Sequence, residues 1–227
     1  KSAVAFAKQQ KYQSLGTFEF LVDGNEPGSK FVFIEANARL QVEHTVTEEV
    51  TDIDLVASQI KVALGGSLSE IGLDLDNAIN PKGFAIQARV NLETIKTDGS
   101  VMPSSGVLTS YDVPTGPGVR TDGFGYVGYE TSSAYDSLLA KVIVHSKTAN
   151  FHEAALKSIR ALSEFRLEGV RSNISFLKNI LAHDSFVDGN VHTRWVDENL
   201  ETLTSDWQGP NLFVDSTLKN ANQQGFA

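Results

Sequence analysis

Apolar and polar positions along this chain recur with two periods, and each period predicts a different element. Residues 2–12 place Val4, Ala7 and Lys8 at helical spacing. Thr17–Asp23 and Lys30–Ala36 read as strands, with Asp23-Gly24 and Pro27-Gly28 supplying the hairpin turn between them. Ile53, Val56, Ile60 and Ala63 recur at three to four residues and predict a helix capped by Thr51 or Asp52 and closed by Gly65-Gly66. From about Leu68 to Pro81 the chain is rich in Asp, Asn and Gly, a natural boundary between regions. Beyond Gly83 the pattern is mostly strand, over 84–91, 107–111, 118–121, 126–130 and 138–145. Turn residues interrupt it at Asp98-Gly99, Pro103, Pro114 and Gly116-Pro117-Gly118. Two helices follow. One, about 150–164, has Phe151, Ala155, Leu156, Ile159 and Leu162 on one face. The other, about 173–182, is capped by Ser172 or Asn173. Periodicity fades after Glu201, so 1–80, 81–200 and 201–227 are expected to be two domains and a linker or tail, in an α+β chain without internal repeats.

One stretch changes character halfway. Phe31 to Ile34 is a continuous apolar run; from Glu35 the chain alternates strictly, with Glu35, Asn37, Arg39, Gln41 and Glu43 at odd positions and Ala36, Ala38, Leu40 and Val42 between them. While such a segment stays extended, its odd residues share one face. If the preceding strand pairs with it, Glu19 lies across from Glu35. Two carboxylates and an amide are hard oxygen ligands suited to Mg²⁺ or Mn²⁺, and a nearby guanidinium binds a planar anion bidentately. Glu43, on the same side beyond Arg39, could act as a base toward whatever the Arg holds. The plain alternative is a half-buried strand with a solvated polar face, or an ion-pair network.

Composition narrows the classes. The 227 residues carry a formal charge of −9 with no basic cluster, which argues against a nucleic-acid surface, so an anionic ligand needs a local constellation. Zero Cys excludes disulfides and Cys-based metal sites and fits an intracellular protein, cytoplasmic or, in a eukaryote, in the mitochondrial matrix. No run approaches a membrane span and no signal peptide is visible. Gly123-Phe-Gly125-Tyr-Val-Gly128 matches G-x-G-x-x-G, but a strand rather than a helix is expected after it, so the dinucleotide reading lacks its physical basis. His145, His152, His183 and His192 have no metal-ligand spacing and read as structural or solvent-facing, and His44 as a support of its loop. Asp136 and Lys141 read as structural polar contacts.

At Glu35-Ala-Asn37-Ala-Arg39-Leu-Gln41-Val-Glu43-His44-Thr-Val-Thr-Glu-Glu the sequence resembles the central motif of biotin carboxylases, the ATP-grasp enzymes of biotin-dependent carboxylases. The resemblance continues through Gly16-Thr-Phe-Glu19-Phe, the Arg89 segment, Tyr135-Asp136-Ser-Leu-Leu-Ala-Lys141 and Gly169-Val-Arg-Ser-Asn173, covering roughly residues 1–200. It implies the C-terminal half of an ATP-grasp domain followed by the family's C-terminal domain of antiparallel strands and packed helices.

Roles follow residue by residue from the resemblance. Glu19 and Glu35 would bind the metal ions carrying the ATP phosphates, assisted by Asn37, and Leu21 would touch the adenine. Arg39, Gln41 and the backbone of Val42 would hold bicarbonate, and Glu43 would deprotonate it. Arg89 would stabilise the charge that develops on the ureido oxygen of biotin. The partners implied are a biotinylated carrier domain, a carboxyltransferase domain and a second copy in a homodimer. Two departures stand out: Asn91-Leu92-Glu93-Thr94 replaces the family's usual Ala-Glu-Asp or Ala-Glu-Asn two residues after Arg89, and residues 98–130 are less typical.

The family's amino-terminal domain, glycine-rich lid and ATP-clamping lysines are expected before residue 1, so the isolated chain is expected to be inactive. His44-Thr-Val-Thr-Glu-Glu, Ala161-Leu-Ser-Glu-Phe-Arg166 and Trp195-Val-Asp-Glu-Asn199 look more like pyruvate carboxylases than acyl-CoA carboxylases. The other classes are an ATP-grasp ligase such as a carbamoyl-phosphate synthetase relative and a non-catalytic dimerisation module.

Overall fold

The structure is a computed structural model and describes residues 1–24, 28–73 and 80–209. It divides into two compact units, Lys1–Pro81 and Lys82 onward.

The first unit runs α1 (Ser2–Gln9), β1 (Thr17–Val22), β2 (Phe31–Asn37), α2 (His44–Thr51) and α3 (Leu55–Ala63). β1 and β2 pair antiparallel, with Glu19 opposite Glu35 and Thr17 opposite Asn37. The pairing then slips by one residue: Phe20 faces Phe33, leaving Ile34 as a bulge. Side chains alternate faces along a strand, so one extra residue reverses the parity beyond it. Phe31 and Phe33 therefore join Phe18, Phe20 and Ala36 on one face, although by number they match Glu35 and Asn37. Phe6 of α1 packs on this aromatic face, with ring centroids 6.2 Å from Phe18 and 5.2 Å from Phe33. Phe20 stands edge-on to Phe31 and Phe33. The opposite face carries Thr17, Glu19, Leu21, Val32, Glu35 and Asn37.

Four expectations need correction here. Helix α1 stops at Gln9 rather than 12, because Lys11 takes a left-handed backbone (φ 49°). The extended segment does not continue to Glu43: β2 ends at Asn37 and the chain turns through 38–43 into α2, with Glu43 at its N-cap. Helix α2 itself was not expected, since Thr45, Val46, Thr47, Val50 and Thr51 are β-branched and poor helix formers. Asp52 ends α2 in the left-handed region (φ 57°), so it cannot cap α3; Asp54 does, accepting from the Ala57 amide at 2.7 Å. The expected turn residues at 25–27 lie outside the described residues.

The second unit begins with β3 (Phe84–Asn91), β4 (Glu93–Ile95), β5 (Val101–Pro103), β6 (Gly106–Val107), β7 (Ser110–Asp112), β8 (Val119–Gly123), β9 (Glu130–Thr131) and β10 (Leu138–Ser146). It ends with α4 (Phe151–Glu164), β11 (Arg166–Glu168), α5 (Ile174–Ala182), α6 (Asp184–Val187), α7 (Trp195–Glu198) and α8 (Leu200–Leu203). β3, β10 and β8 form an antiparallel sheet with β10 central. One face of it, Ala88, Val90, Ala140, Val142 and Val144, packs against Ala161, Leu162 and Phe165 at the end of α4 and Leu181 of α5. Asn150 caps α4 by accepting from the His152 amide at 3.0 Å. Smaller pairs flank the sheet: β4 with β5, β6 with β9, and β7 with β11.

The strand expected over 107–111 splits into β6 and β7 around the fully buried Leu108, and that over 126–130 shrinks to β9 after a turn. Gly123-x-Gly125 meets no phosphate-binding helix. A Cβ on Gly123 or Gly125 would stand 2.5 Å from the Tyr111 side chain, so these glycines admit a tyrosine ring. The tail expected from 201 starts later. Leu203 is fully buried, Asn179 donates to the carbonyls of Leu203 and Ser205, and the Trp207 ring faces Lys178 at 5.1 Å. Residues 210–227 lie outside the described residues.

Candidate functional site

The polar face of the β1–β2 hairpin brings four of the expected residues into one hydrogen-bonded cluster. The Asn37 amide nitrogen donates to Glu19 Oε1 at 3.0 Å and to Glu35 Oε1 at 2.9 Å, so one nitrogen bridges two carboxylates that are already opposite each other in the register. Gln41 Nε2 reaches the same Glu19 oxygen at 3.3 Å. The turn after Asn37 is what allows this. Had the chain stayed extended, Gln41 would lie four residues further along the strand, about 13 Å away.

The donor set fits a small hard cation. Two carboxylates converge on the Asn37 nitrogen, a position of negative potential met here by the Asn37 and Gln41 amides. Asn37 presents its NH₂ where a carbonyl ligand was expected, and rotating the carboxamide by half a turn would exchange the two atoms. Among the described residues no three acidic or imidazole groups converge on a point. Mg²⁺ is commonly held by one or two carboxylates, with substrate phosphates and water completing its shell.

The remaining expected residues follow in the turn. Arg39 is exposed and donates from Nη1 to the Leu40 carbonyl at 3.2 Å. Val42 and Glu43 are half-buried, the latter opening α2. Gln41 Oε1 is buried with no hydrogen-bond partner among the described residues. His44 has the loop-supporting part expected of it: its ring Nδ1 lies 2.7 Å from the Gln41 carbonyl, which can only accept, so Nδ1 carries the proton. Leu21 shares the carboxylate face two residues beyond Glu19 and is 47% exposed.

Arg89 belongs to the second unit. It lies exposed on β3, opposite Lys141 in β10. In the same row Lys141 approaches Asp122 at 3.4 Å, and Arg120 forks onto Asp122 at 2.8 and 3.0 Å. Burial pushes the Asp122 carboxyl upward, but the Arg120 guanidinium and the Lys141 ammonium outweigh it and hold the carboxyl below its usual range. Lys141 is thus a structural contact, as is Asp136, which accepts from the Leu138 amide at 2.9 Å where β10 begins. A cleft of about 270 Å³ opens beyond the end of β3, lined by Leu92, Ser104, Tyr129, Tyr135, Asp136 and Ser137 among others. His145, His183 and His192 make local contacts, to the Lys82 carbonyl, to the Ser185 amide and Trp195, and to Glu198.

Sequence reasoning missed one residue here. Asn173 stood in the sequence as a helix-cap candidate and as the last residue of the Gly169–Asn173 resemblance, with no role given to it, yet its side chain bonds the backbone of Arg89 and Asn91.

Residues 87–198 match the family model "Biotin carboxylase C-terminal domain", and residues 1–71 match "Carbamoyl-phosphate synthase L chain, ATP binding domain". The second model alone would leave a carbamoyl-phosphate synthase relative open; the two in this order do not. The chain is 48% identical over 200 residues to the mitochondrial pyruvate carboxylase of Homo sapiens, covering 88% of this chain and 16% of that one. Among solved structures it resembles a single-chain, multi-domain long-chain acyl-CoA carboxylase (TM-score 0.84, 43% identity, 94% of this chain and 23% of that one). It also resembles the biotin carboxylase domain dimer of Hydrogenobacter thermophilus 2-oxoglutarate carboxylase, solved with MgADP, ADP and bicarbonate (TM-score 0.77, 35% identity, 88% and 42%). The chain thus spans about a sixth of the curated relatives it matches. With both domain models matched in order, it belongs to the biotin carboxylase family.

Proposed function

We propose that this chain is part of an ATP-dependent ligase that carboxylates biotin on a carrier domain, with pyruvate the final acceptor on a separate carboxyltransferase domain. The observation that carries the reading is the Glu19–Glu35–Asn37–Gln41 cluster, followed within six residues of Asn37 by Arg39 and Glu43.

In this reading Glu19 and Glu35, with Asn37 rotated to offer its carbonyl, hold Mg²⁺ or Mn²⁺. Such an ion neutralises phosphate charge and orients the terminal phosphoryl group of ATP. Leu21 offers an exposed apolar contact to the adenine. Arg39 binds bicarbonate as a planar anion, with Gln41 and the Val42 backbone beside it. Glu43 removes the bicarbonate proton. The freed oxygen attacks the γ-phosphorus, the bond to ADP breaks, and carboxyphosphate forms. Its collapse gives CO₂ and phosphate, the phosphate accepts the N1′ proton of biotin, and the N1′ so freed attacks CO₂ to form the N–C bond of carboxybiotin. Arg89 faces the negative charge that grows on the ureido oxygen.

The relatives support the wider assignments. A biotin carboxylase dimer solved with MgADP and bicarbonate favours a homodimer using the same ligands. Relatives named mitochondrial support a mitochondrial location in a eukaryote. Among the described residues no helix is long and apolar enough to cross a membrane. An acyl-CoA acceptor is the second reading, favoured by the 43% identity to an acyl-CoA carboxylase.

The test uses the full-length enzyme. Glu43→Gln is expected to lower bicarbonate-dependent ATP turnover by about a hundredfold or more; turnover close to wild type would remove Glu43 from its role. Product analysis with pyruvate against acetyl-CoA and propionyl-CoA separates the acceptors.

A further inference from the structure

β3 is an edge strand among the described residues: β10 occupies one side of it, and no described strand lies along the other. On that side an antiparallel strand exposes the amide and carbonyl of alternate residues, here Arg89 and Asn91. Asn173 takes all three bonds described there. Its Nδ2 donates to the Arg89 carbonyl at 3.0 Å, its Oδ1 accepts from the Asn91 amide at 2.9 Å, and its own amide donates to the Asn91 carbonyl at 3.1 Å. A carboxamide has the same donor and acceptor as a peptide unit, so this side chain substitutes for a missing strand partner over residues 89–91. Asn173 is 7% exposed.

Two further observations show that this contact is specific. Asn173 occupies the N-cap position of α5 but makes no side-chain cap bond, so the helix forgoes the usual use of an Asn there. The ladder on the other side of β3 is irregular at the same place: Val90 pairs with Ala140 but Asn91 pairs with Leu138, and Leu139 is skipped. The regular register of β3 with β10 therefore ends after Val90, one residue beyond Arg89, and Asn173 holds the opposite side of β3 across that point. The Arg89 side chain is exposed, so its direction depends on the backbone from which it leaves the strand.

We propose that Asn173 is the positioning residue for Arg89, fixing the backbone from which the guanidinium reaches the ureido oxygen. This rests on the role given to Arg89 above. Asn173 touches neither biotin nor ATP in this role. It acts through main-chain bonds, and a side chain that keeps only one of them is not equivalent.

The test compares Asn173→Asp, Asn173→Ala and Arg89→Met in the full-length enzyme. Two rates are measured: bicarbonate-dependent ATP cleavage without biotin, and carboxylation of free biotin at saturating ATP and bicarbonate. Asp keeps the acceptor toward the Asn91 amide and loses the donor to the Arg89 carbonyl; Ala loses both. For both Asn173 variants the ratio of carboxylation to ATP cleavage is expected to fall about tenfold or more, the size of effect a small misplacement of a reacting group produces. A purely structural role would lower both rates together and leave the ratio unchanged, and that result overturns the proposal. Thermal midpoints identify any variant that fails to fold, and in that case Asn173→Asp, the smaller change, decides. If Arg89→Met carboxylates biotin normally, the role of Arg89 itself fails. If Arg89→Met loses carboxylation while both Asn173 variants keep the wild-type ratio, only the present inference fails.

Discussion

Residues 1–81 carry the cluster of carboxylates and amides yet bury only one side chain, Thr45, among the described residues, whereas every buried hydrophobic residue belongs to the unit that begins at Lys82. The first unit is a two-stranded hairpin with three short helices, and its Phe31, Val32, Phe33 and Ile34 are about half exposed. The second has a central strand, β10, with five buried residues in a row, Val142 to Ser146. The difference separates two ways of placing a side chain. In the second unit burial defines the positions of the strands, and Arg89 leaves one of them at an edge that Asn173 holds. In the first, hydrogen bonds among the site residues, the bulge and a tight turn define positions with little burial behind them.

The sharpest way to break this comparison is to cut it. Residues 82–209 expressed alone are expected to unfold cooperatively on heating, while 1–81 alone is expected to show no cooperative transition, because a lone hairpin is marginal in water. Circular dichroism melts of the two pieces decide it, and a cooperative melt of 1–81 would show that its polar network stabilises more than its burial suggests.

Next comes the bulge. Deleting Ile34 from the full-length enzyme would put Phe31 and Phe33 on the carboxylate face, or else turn Glu35 and Asn37 toward the aromatic one. ATP turnover is expected to fall by about two orders of magnitude or more, as for any loss of site geometry. Ile34→Val, which keeps the length, should be nearly neutral.

Core truncation gives a smaller contrast. Leu162→Ala, at a position 1% exposed, should cost about 2–5 kcal/mol in urea denaturation of the 82–209 piece. Phe33→Ala, at 46% exposed, should move the full-length enzyme's stability by less than half as much. Equal costs would contradict the division drawn here.

The smallest effect is electrostatic. The folded-state pKa of Asp122 lies below its unfolded value, so its contribution is fully present above about pH 3.9 and is lost as pH falls through the folded value. Asp122→Asn should therefore lower the urea midpoint at pH 7 by the equivalent of under about 1 kcal/mol, the scale of a partly exposed pair. The gap from wild type should close as the pH falls toward 2. A gap that widens on acidification would reverse the sign and sink the assignment.

How much of this was legible in the sequence follows the same division. β3, β10, α4 and α5 lie within a residue or so of their expected ends, because burial imposes a clear period on the apolar positions. In the first unit the pairing of Glu19 with Glu35 was readable from two strand patterns and a turn. The course of the chain after Asn37 was not. Strict alternation from Glu35 to Glu43 predicts one face only if the backbone remains extended, and here local turning overrode it. Helix α2 escaped because its β-branched residues favour strands and few of its side chains are buried. The bulge left no mark in Phe31–Ile34, since four consecutive apolar residues fit either parity. Asn173 was visible as a cap and as the end of the Gly169–Asn173 resemblance, but its contacts were not, because its partners lie more than 80 residues away.

The extra residue at Ile34 has a consequence for how tolerance to substitution should be distributed along β2. Odd-numbered positions before it serve the aromatic face, and odd-numbered positions after it serve the ligand face. A saturation scan of residues 31–37 should thus show a chemical preference that inverts at 34, with aromatics retained at 31 and 33 and polar oxygen ligands at 35 and 37. Aligning relatives through this strand by hydropathy alone would place a gap one residue out of phase and exchange the two sets of constraints.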